Sequence, residues 1–449
     1  MYTTRFIKPQ TKWQTVKVNK SSLKKISRMH FEKIFLIFLL PFFSFISCSE
    51  KDSSTFIIWT DRQELVSYAE LFNLSHKNIK AVAIYKENPI SALPPQKKEI
   101  QPDLIIGSWL KSSKTRRYFS PLDYLFDEKG LSKADFYPQM LEYGILNNRH
   151  YLVPLSFNLP MMVFTQQNEM LIADEHTLTL ENLKTISASF NSKKDESFTS
   201  IGYAPSWDEN FLYEATKIFG ADYQEKGLAF SWNTDAINKT VDFMRQWTLD
   251  YNKNTLTETD FQFKYLYMPK FKQVSSGRAA FTYMTSDEFF TLANEQSRGL
   301  TFRWLVNDDG NAMVDDDLVT MGIYKNSKNK KGAQTFIQWI SDENIQSNLL
   351  NRQTTLKLDT VTFGIAGGFS AIQSVNTTVF PAHYRELLGN LPGEQALKVP
   401  LILPYRWPTL KEKVLFPYLK TTTDTALDLE AGEYASMEDL VEDSKRFAY

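Results

Sequence analysis

Short apolar runs alternate along this chain with segments whose apolar residues recur every three or four positions, from Thr55 almost to the C-terminus. Residues 55–59 form a compact β-branched run, and the segment after it places Leu65, Ala69 and Phe72 on one helical face. Residues 79–85 predict a second strand. Residues 103–107 predict a third, continuously apolar as a parallel strand covered on both faces should be. Repeated strand, helix, strand units of this kind predict a doubly wound α/β sheet.

Residues 151–158 read as an extended crossing strand or hinge, in which Pro154 cannot donate to a ladder. A second α/β stretch follows: a strand at 200–204, a helix at 210–219 ended by Gly220, and a helix at 234–249. Residues 277–283 read as a helix-to-strand junction, and 302–306 and 318–324 as strands around a turn at 307–311. Helices at 332–340 and 344–350 are the clearest pieces of the C-terminal part. Trp304 and Trp339 stand on apolar faces and are assigned to the core.

The longest apolar run, about 13 residues at 34–46, leads through Ser47 to Cys48, the only cysteine of 449 residues. A membrane span needs about 20 apolar residues, so this run is too short to cross comfortably. With its basic flank from Arg28 to Lys33 and a small residue before the cysteine, it resembles a bacterial lipoprotein signal, although Phe45 stands where Leu is usual. The resemblance implies cleavage after Ser47 and a diacylglyceride on the Cys48 sulfur. Residues 1–28 carry eight basic side chains and no acidic one. They are read as an upstream extension with Met29 as the start, residues 29–47 as the signal, and 48–54 as lipidated cysteine and tether.

Composition narrows the function classes. Of 51 basic and 52 acidic residues, nine basic and one acidic precede Cys48, so the remainder is acidic by about nine charges. That argues against a nucleic-acid partner. A lone cysteine allows no intrachain disulfide. The five histidines, at 30, 76, 150, 176 and 383, are scattered, so neither a metal cluster nor a histidine-based triad is suggested. No cofactor is expected. No Gly-rich phosphate loop with a following Lys occurs, so any ATPase must be a separate chain. The run Asp315, Asp316, Asp317 is read as a solvated hairpin edge rather than a calcium site.

Five phrases in order carry a family resemblance: Ile57-Ile-Trp-Thr-Asp-Arg62, Pro102-Asp-Leu-Ile-Ile-Gly-Ser-Trp109, Val153-Pro-Leu-Ser-Phe-Asn158, Ser276-Gly-Arg-Ala-Ala-Phe281 and the segment 336–346. From Thr55 onward the chain resembles the sugar-binding family of ABC-importer solute-binding proteins that includes maltose-binding protein. Met161 and the pair Phe164-Thr165 depart from the family's pattern at the crossover. The resemblance implies a two-lobed periplasmic-binding-protein type II fold, α/β in class, with hinge strands between lobes. Residues 55–155 are assigned to the first lobe, 156–276 to the second, 277–323 to a return to the first, and 324–449 to a C-terminal helical part of the second.

It also implies a non-enzymatic receptor, exported and lipid-anchored to the cell membrane facing the periplasm or exterior. Such a receptor captures a small solute, a sugar or oligosaccharide, for a permease with a separate cytoplasmic ATPase, and works as a monomer. An envelope glycoside hydrolase and a ligand-presenting signalling lipoprotein are the competing readings.

Ligands of open α/β sheets lie beyond the carboxyl ends of the strands. A pyranose needs an apolar platform and paired polar groups for its hydroxyls. On those grounds the candidate contacts are Trp59, Asp61 and Arg62 after the first strand, and Ser108 and Trp109 after the third. Phe157 and Asn158 lie at the crossover, Trp207 in the second lobe, and Tyr283, Thr285 and Ser286 after the return strand. Asp61 could instead cap the helix that follows, Trp109 could pack between lobes, and Trp407 remains a minor loop candidate.

Overall fold

The computed structural model describes residues 54–446 apart from 113–114, 128–129, 227–228, 358–361, 405 and 428–434. Cys48, the signal segment and the basic N-terminal arm lie outside the described residues. No helix among the described residues is long and apolar enough to cross a membrane.

Twelve strands make two mixed sheets: β1 (Ser54–Thr60), β2 (Ile79–Tyr85), β3 (Leu104–Gly107), β4 (Val153–Phe157), β5 (Pro160–Thr165), β6 (Thr177–Thr179), β7 (Phe281–Thr285), β8 (Leu300–Val306), β9 (Ala312–Met313), β10 (Val319–Ile323), β11 (Phe369–Ser370) and β12 (Leu397–Lys398). The first sheet has the order β11-β4-β10-β3-β1-β2, and the second β7-β5-β8-β9-β12 with β6 added alongside β8. β1 runs parallel to β2 and β3, whereas β10 is antiparallel to both β3 and β4. The register slips between Val319 and Thr320, opposite Pro154 and Ser156. Proline has no N–H for the ladder, so an irregularity there is its natural consequence.

Helix α1 (Leu65–Ser75) buries Leu65, Tyr68, Ala69 and Phe72 against the first sheet, which is the face read from the sequence. Asp103, just before β3, ties this lobe together. Its Oδ1 accepts from the Ser327 hydroxyl and the amides of Lys328 and Asn329, and its Oδ2 from the amide of Ile57. A buried carboxylate with four donors stays solvated by protein, and here it pins the first strand to the start of the helix Lys330–Ile340.

The lobe boundaries differ from those read in the sequence. β7 and β8 both pair with β5, so 281–306 belongs to the second sheet, and the chain returns to the first lobe only at 314–318. The helices Lys330–Ile340 and Glu343–Leu356, assigned to the second lobe, belong to the first: Phe336 packs on Phe56 and Phe72, and Leu349 and Leu350 share their core. The second lobe resumes with β12. Periodicity identifies strands and helices, but sheet membership is decided by long-range pairing that local pattern does not encode. The strand expected at 200–204 is likewise displaced. Ser197–Ser200 pairs with Ser192–Lys194, and Ile201 makes only a single bridge to Ala279.

Candidate functional site

Two segments that cross between the sheets meet at the waist of the molecule: Asn158-Leu159 between β4 and β5, and residues 314–318 between β9 and β10. The amide of Asp315 donates to the carbonyl of Asn158 at 3.0 Å and joins them. Asn158 is fully engaged, its Nδ2 donating to the Gly367 carbonyl at 2.9 Å and its Oδ1 accepting from the Ser286 hydroxyl at 2.6 Å.

The three aspartates lie in this second crossing, where they are not the solvated edge read from sequence. Asp316 is buried and faces the second lobe. It accepts from the Tyr213 hydroxyl (2.8 and 2.9 Å) and from Trp407 Nε1 (2.6 Å), with Lys411 at 3.5 Å and Lys217 at 3.9 Å. Lys411, Lys217 and these donors hold its carboxyl below the usual range against burial. Asp317, one residue on, faces the first lobe. Its Oδ2 meets Arg62 Nη2 at 3.2 Å, and its carbonyl accepts from the Ser108 hydroxyl at 2.6 Å. Among the described residues no group of His, Cys, Asp or Glu is arranged to hold a metal ion.

Asp61, Arg62 and Ser108 are thus brought together at the carboxyl ends of β1 and β3. Arg62 Nη2 donates to Ser108 Oγ at 2.5 Å, and Asp61 Oδ2 accepts from the Ser108 amide at 3.2 Å. A Cβ on Gly107 would stand 2.8 Å from Asp61 Oδ1, so a glycine is what lets the carboxylate lie against β3. Burial pushes the Asp61 carboxyl up, and Arg62 beside it pulls the other way.

Beside this cluster opens a cavity of about 410 Å³ with walls from both lobes. Asp61, Arg62, Gln63 and Glu64 line it from the first lobe, and Asp287, Glu288 and Thr291 from the short helix α2 (Ser286–Phe290) and the residue after it. Thr362, Phe363 and Gly367 close the remaining side. Thr285 sits at the start of α2, its hydroxyl bonded to Asp287 Oδ1 at 2.6 Å.

Several aromatic candidates are elsewhere. Trp59 is completely buried among Ile90, Leu93, Ile105, Leu110 and Phe119, on the face of the first sheet opposite α1. Strand alternation forces this: Ile58 faces α1, so its neighbour takes the other face, which is also covered. Phe157 is core too, edge-on to Tyr137 with ring centres 5.6 Å apart. Tyr283 is buried against Phe211. Trp207 stacks on Phe261 at 5.7 Å and donates Nε1 to the Glu258 carbonyl, so its ring is committed within the second lobe. Trp407 is completely buried at the start of a short helix.

Trp109 crosses between lobes. It follows β3 yet packs half-buried against the second-lobe cluster that contains Tyr213 and Trp407. Its φ of 56° is left-handed, and its Nε1 is buried without a hydrogen-bond partner. A left-handed non-glycine residue costs about 1–3 kcal/mol and persists only where surrounding packing holds it.

Against solved structures the chain matches two-lobed receptors over most of its length. Relatives include the sugar-binding protein MalE of Xanthomonas citri, at 12% identity, TM-score 0.60, covering 88% of this chain and 96% of that one. The lacto-N-biose-bound galacto-N-biose-/lacto-N-biose I-binding protein of the Bifidobacterium longum ABC transporter matches at 16% identity and TM-score 0.57, covering 88% and 96%. A mannotriose-bound protein, CpMnBP1, matches at 12% identity and TM-score 0.58, covering 88% and 100%. The chain has the two-lobed fold of sugar-binding proteins. No family model and no curated protein matches the sequence.

Within this two-lobed fold the cavity uses residues that sequence reasoning passed over: Gln63, Glu64, Asp287, Glu288 and Thr291. Gln63 and Asp287 stand directly beside chosen candidates, and a first-turn Asp-Glu pair was visible after Ser286. Nothing local indicated that the two would face one another across lobes.

Proposed function

We propose that this protein is an extracytoplasmic receptor that closes its two lobes on a carbohydrate and delivers it to an ABC permease. The observation that carries the reading is the cavity between Asp61, Arg62 and Glu64 on one lobe and Asp287 and Glu288 on the other. A site divided between bodies joined by crossing strands binds by closure, because ligand contacts complete only when the lobes approach. Its size suits one or two sugar rings, and its carboxylates and guanidinium suit paired hydroxyls. Asp61, Arg62 and Thr285 are the sequence candidates retained as ligand contacts, joined by Glu64, Asp287 and Glu288. Ser108, Asn158 and Ser286 hold the hinge around them. Capture and release need no covalent step, so the protein is read as a binding protein and not an enzyme.

The lipid on Cys48, in this proposal, keeps a monomeric receptor near its permease and raises local concentration without a tight protein contact. A single acyl chain would hold only marginally, so multiple acylation of Cys48 is part of it.

The deciding experiment is calorimetry on a soluble form beginning at Ser49 with a broad carbohydrate panel. Saturable heat with at least one sugar, together with a raised melting midpoint, supports the reading. Silence across the panel removes the carbohydrate assignment.

A further inference from the structure

The interlobe cavity has an unusual charge balance for a site that would hold only neutral hydroxyls. Four carboxylates, Asp61, Glu64, Asp287 and Glu288, line it with one guanidinium, Arg62. That guanidinium is already engaged by Asp317 at 3.2 Å and Ser108 at 2.5 Å. Asp61 lines the cavity with its side chain only 11% exposed, and its buried Oδ1 makes no hydrogen bond, its ion-pair neighbour being Arg62 Nε at 3.4 Å. Next to the crossing segment, Glu214 is a further carboxylate, 4% exposed, with Lys217 on Oε2 at 2.7 Å and Oε1 unpartnered. Burial pushes Asp61, Glu64 and Asp287 upward; Arg62 opposes the rise in Asp61 and Glu64, while Asp315 and Glu288 add to it in Asp287.

We propose that the solute held in this cleft is a carbohydrate bearing a protonated amine, an amino sugar or short amine-bearing oligosaccharide, in preference to its neutral or acidic counterparts. The inference rests on reading the cleft as a carbohydrate site and adds the charge. Closing the lobes takes these carboxylates out of water and brings those of Asp61 and Glu64 toward those of Asp287 and Glu288. An ammonium placed among them replaces the lost hydration with charge-assisted hydrogen bonds and turns repulsion into attraction. Its three N–H donors match acceptor-only carboxylates, which a sugar hydroxyl satisfies singly. A uronate or phosphorylated sugar would add a like charge to the cavity and is disfavoured.

The test is calorimetry at neutral pH with four oligosaccharides of equal length: fully deacetylated glucosamine, its N-acetylated form, neutral glucose and galacturonate, each at low and high salt. The deacetylated form should bind about tenfold tighter than the neutral ones, with a preference that shrinks in high salt, and the uronate should not bind. Glu64→Gln and Asp287→Asn, each checked by thermal melting, should weaken binding of the deacetylated form several-fold more than binding of the neutral sugars, and so narrow the amine preference. Equal or tighter binding of a neutral sugar overturns the charge inference and leaves the carbohydrate reading intact. Absence of binding by all four overturns both.

Discussion

Arg62 and Asp317 meet at 3.2 Å across 255 residues of chain, at the point where the second crossing segment enters the first sheet. Asp316, the residue before, turns to the opposite side and is held by Tyr213 and Trp407 of the second lobe. Successive residues of an extended segment point to opposite sides, so two adjacent carboxylates can anchor one crossing to two bodies. The two ends of this crossing are thereby fixed to different bodies.

The two anchors should differ in energy. Asp316→Ala leaves the Tyr213 hydroxyl and Trp407 Nε1 without a buried acceptor and the Lys411 ammonium without its counter-charge, while Lys217 keeps Glu214, so a loss of about 3–5 kcal/mol is expected. Asp317→Ala should lose only about 1 kcal/mol, because Asp317 and Arg62 retain 29% and 20% side-chain exposure and solvent screens the pair. Urea denaturation of the two variants gives the ranking directly, and equal losses would contradict the assignment of the anchors.

Arg62→Ala should weaken solute binding by about tenfold or more while lowering stability by only about 1 kcal/mol. Arg62 both lines the cavity and aligns Ser108, whereas little of the core depends on it. A Kd measured beside a melting curve separates these. A variant that melts far earlier but binds as before would place Arg62 in the scaffold instead.

Trp109→Ala should favour the open arrangement of the lobes. The wild-type ring reaches from β3 into the second-lobe cluster, and its left-handed backbone is held there by that packing. Removing the ring deletes the contact but none of the covalent hinge. Small-angle scattering of the ligand-free variant should report a larger radius of gyration than wild type, and an unchanged profile would argue that Trp109 does not bridge the lobes in solution.

Glu214 makes stability depend on pH. Burial pushes its carboxyl up to about 7, with Lys217 opposing. Below its ordinary value near 4.5 the group is protonated whether the chain is folded or not. Between about 4.5 and 7 the unfolded chain releases the proton first, so stability falls as pH rises, by about 3 kcal/mol in all, and then levels off. Denaturation at the two ends of that window should show a smaller loss for Glu214→Gln than for wild type. Identical pH slopes would place Glu214 among ordinary solvated carboxylates.

Much of the fold was readable because it rests on local pattern. Leu65, Ala69 and Phe72 line one face of α1, and Gly220, with its φ of 89°, follows the helix Glu209–Ile218 as expected of a C-terminal stop. The site was readable only in part. Asp61, Arg62 and Ser108 were found because strand ends in an α/β sheet converge on one edge. Trp59 was misjudged because a strand covered on both faces has no outward side, and its composition resembles that of a strand with one. The aspartate run was misjudged because charge suggests solvent, while these carboxylates are paired through residues such as Trp407 and Arg62 that lie far away in sequence. The opposing wall of Asp287 and Glu288 depends on which lobe β7 joins, and that follows only from its pairing with β5.

A crystal structure of the soluble form grown with the tightest-binding carbohydrate tests the central claim most directly. The account predicts one sugar density between Asp61, Arg62 and Glu64 on one side and Asp287 and Glu288 on the other, touching both lobes at once. Density confined to a single lobe, or lodged away from these residues, would contradict capture by closure at this cleft.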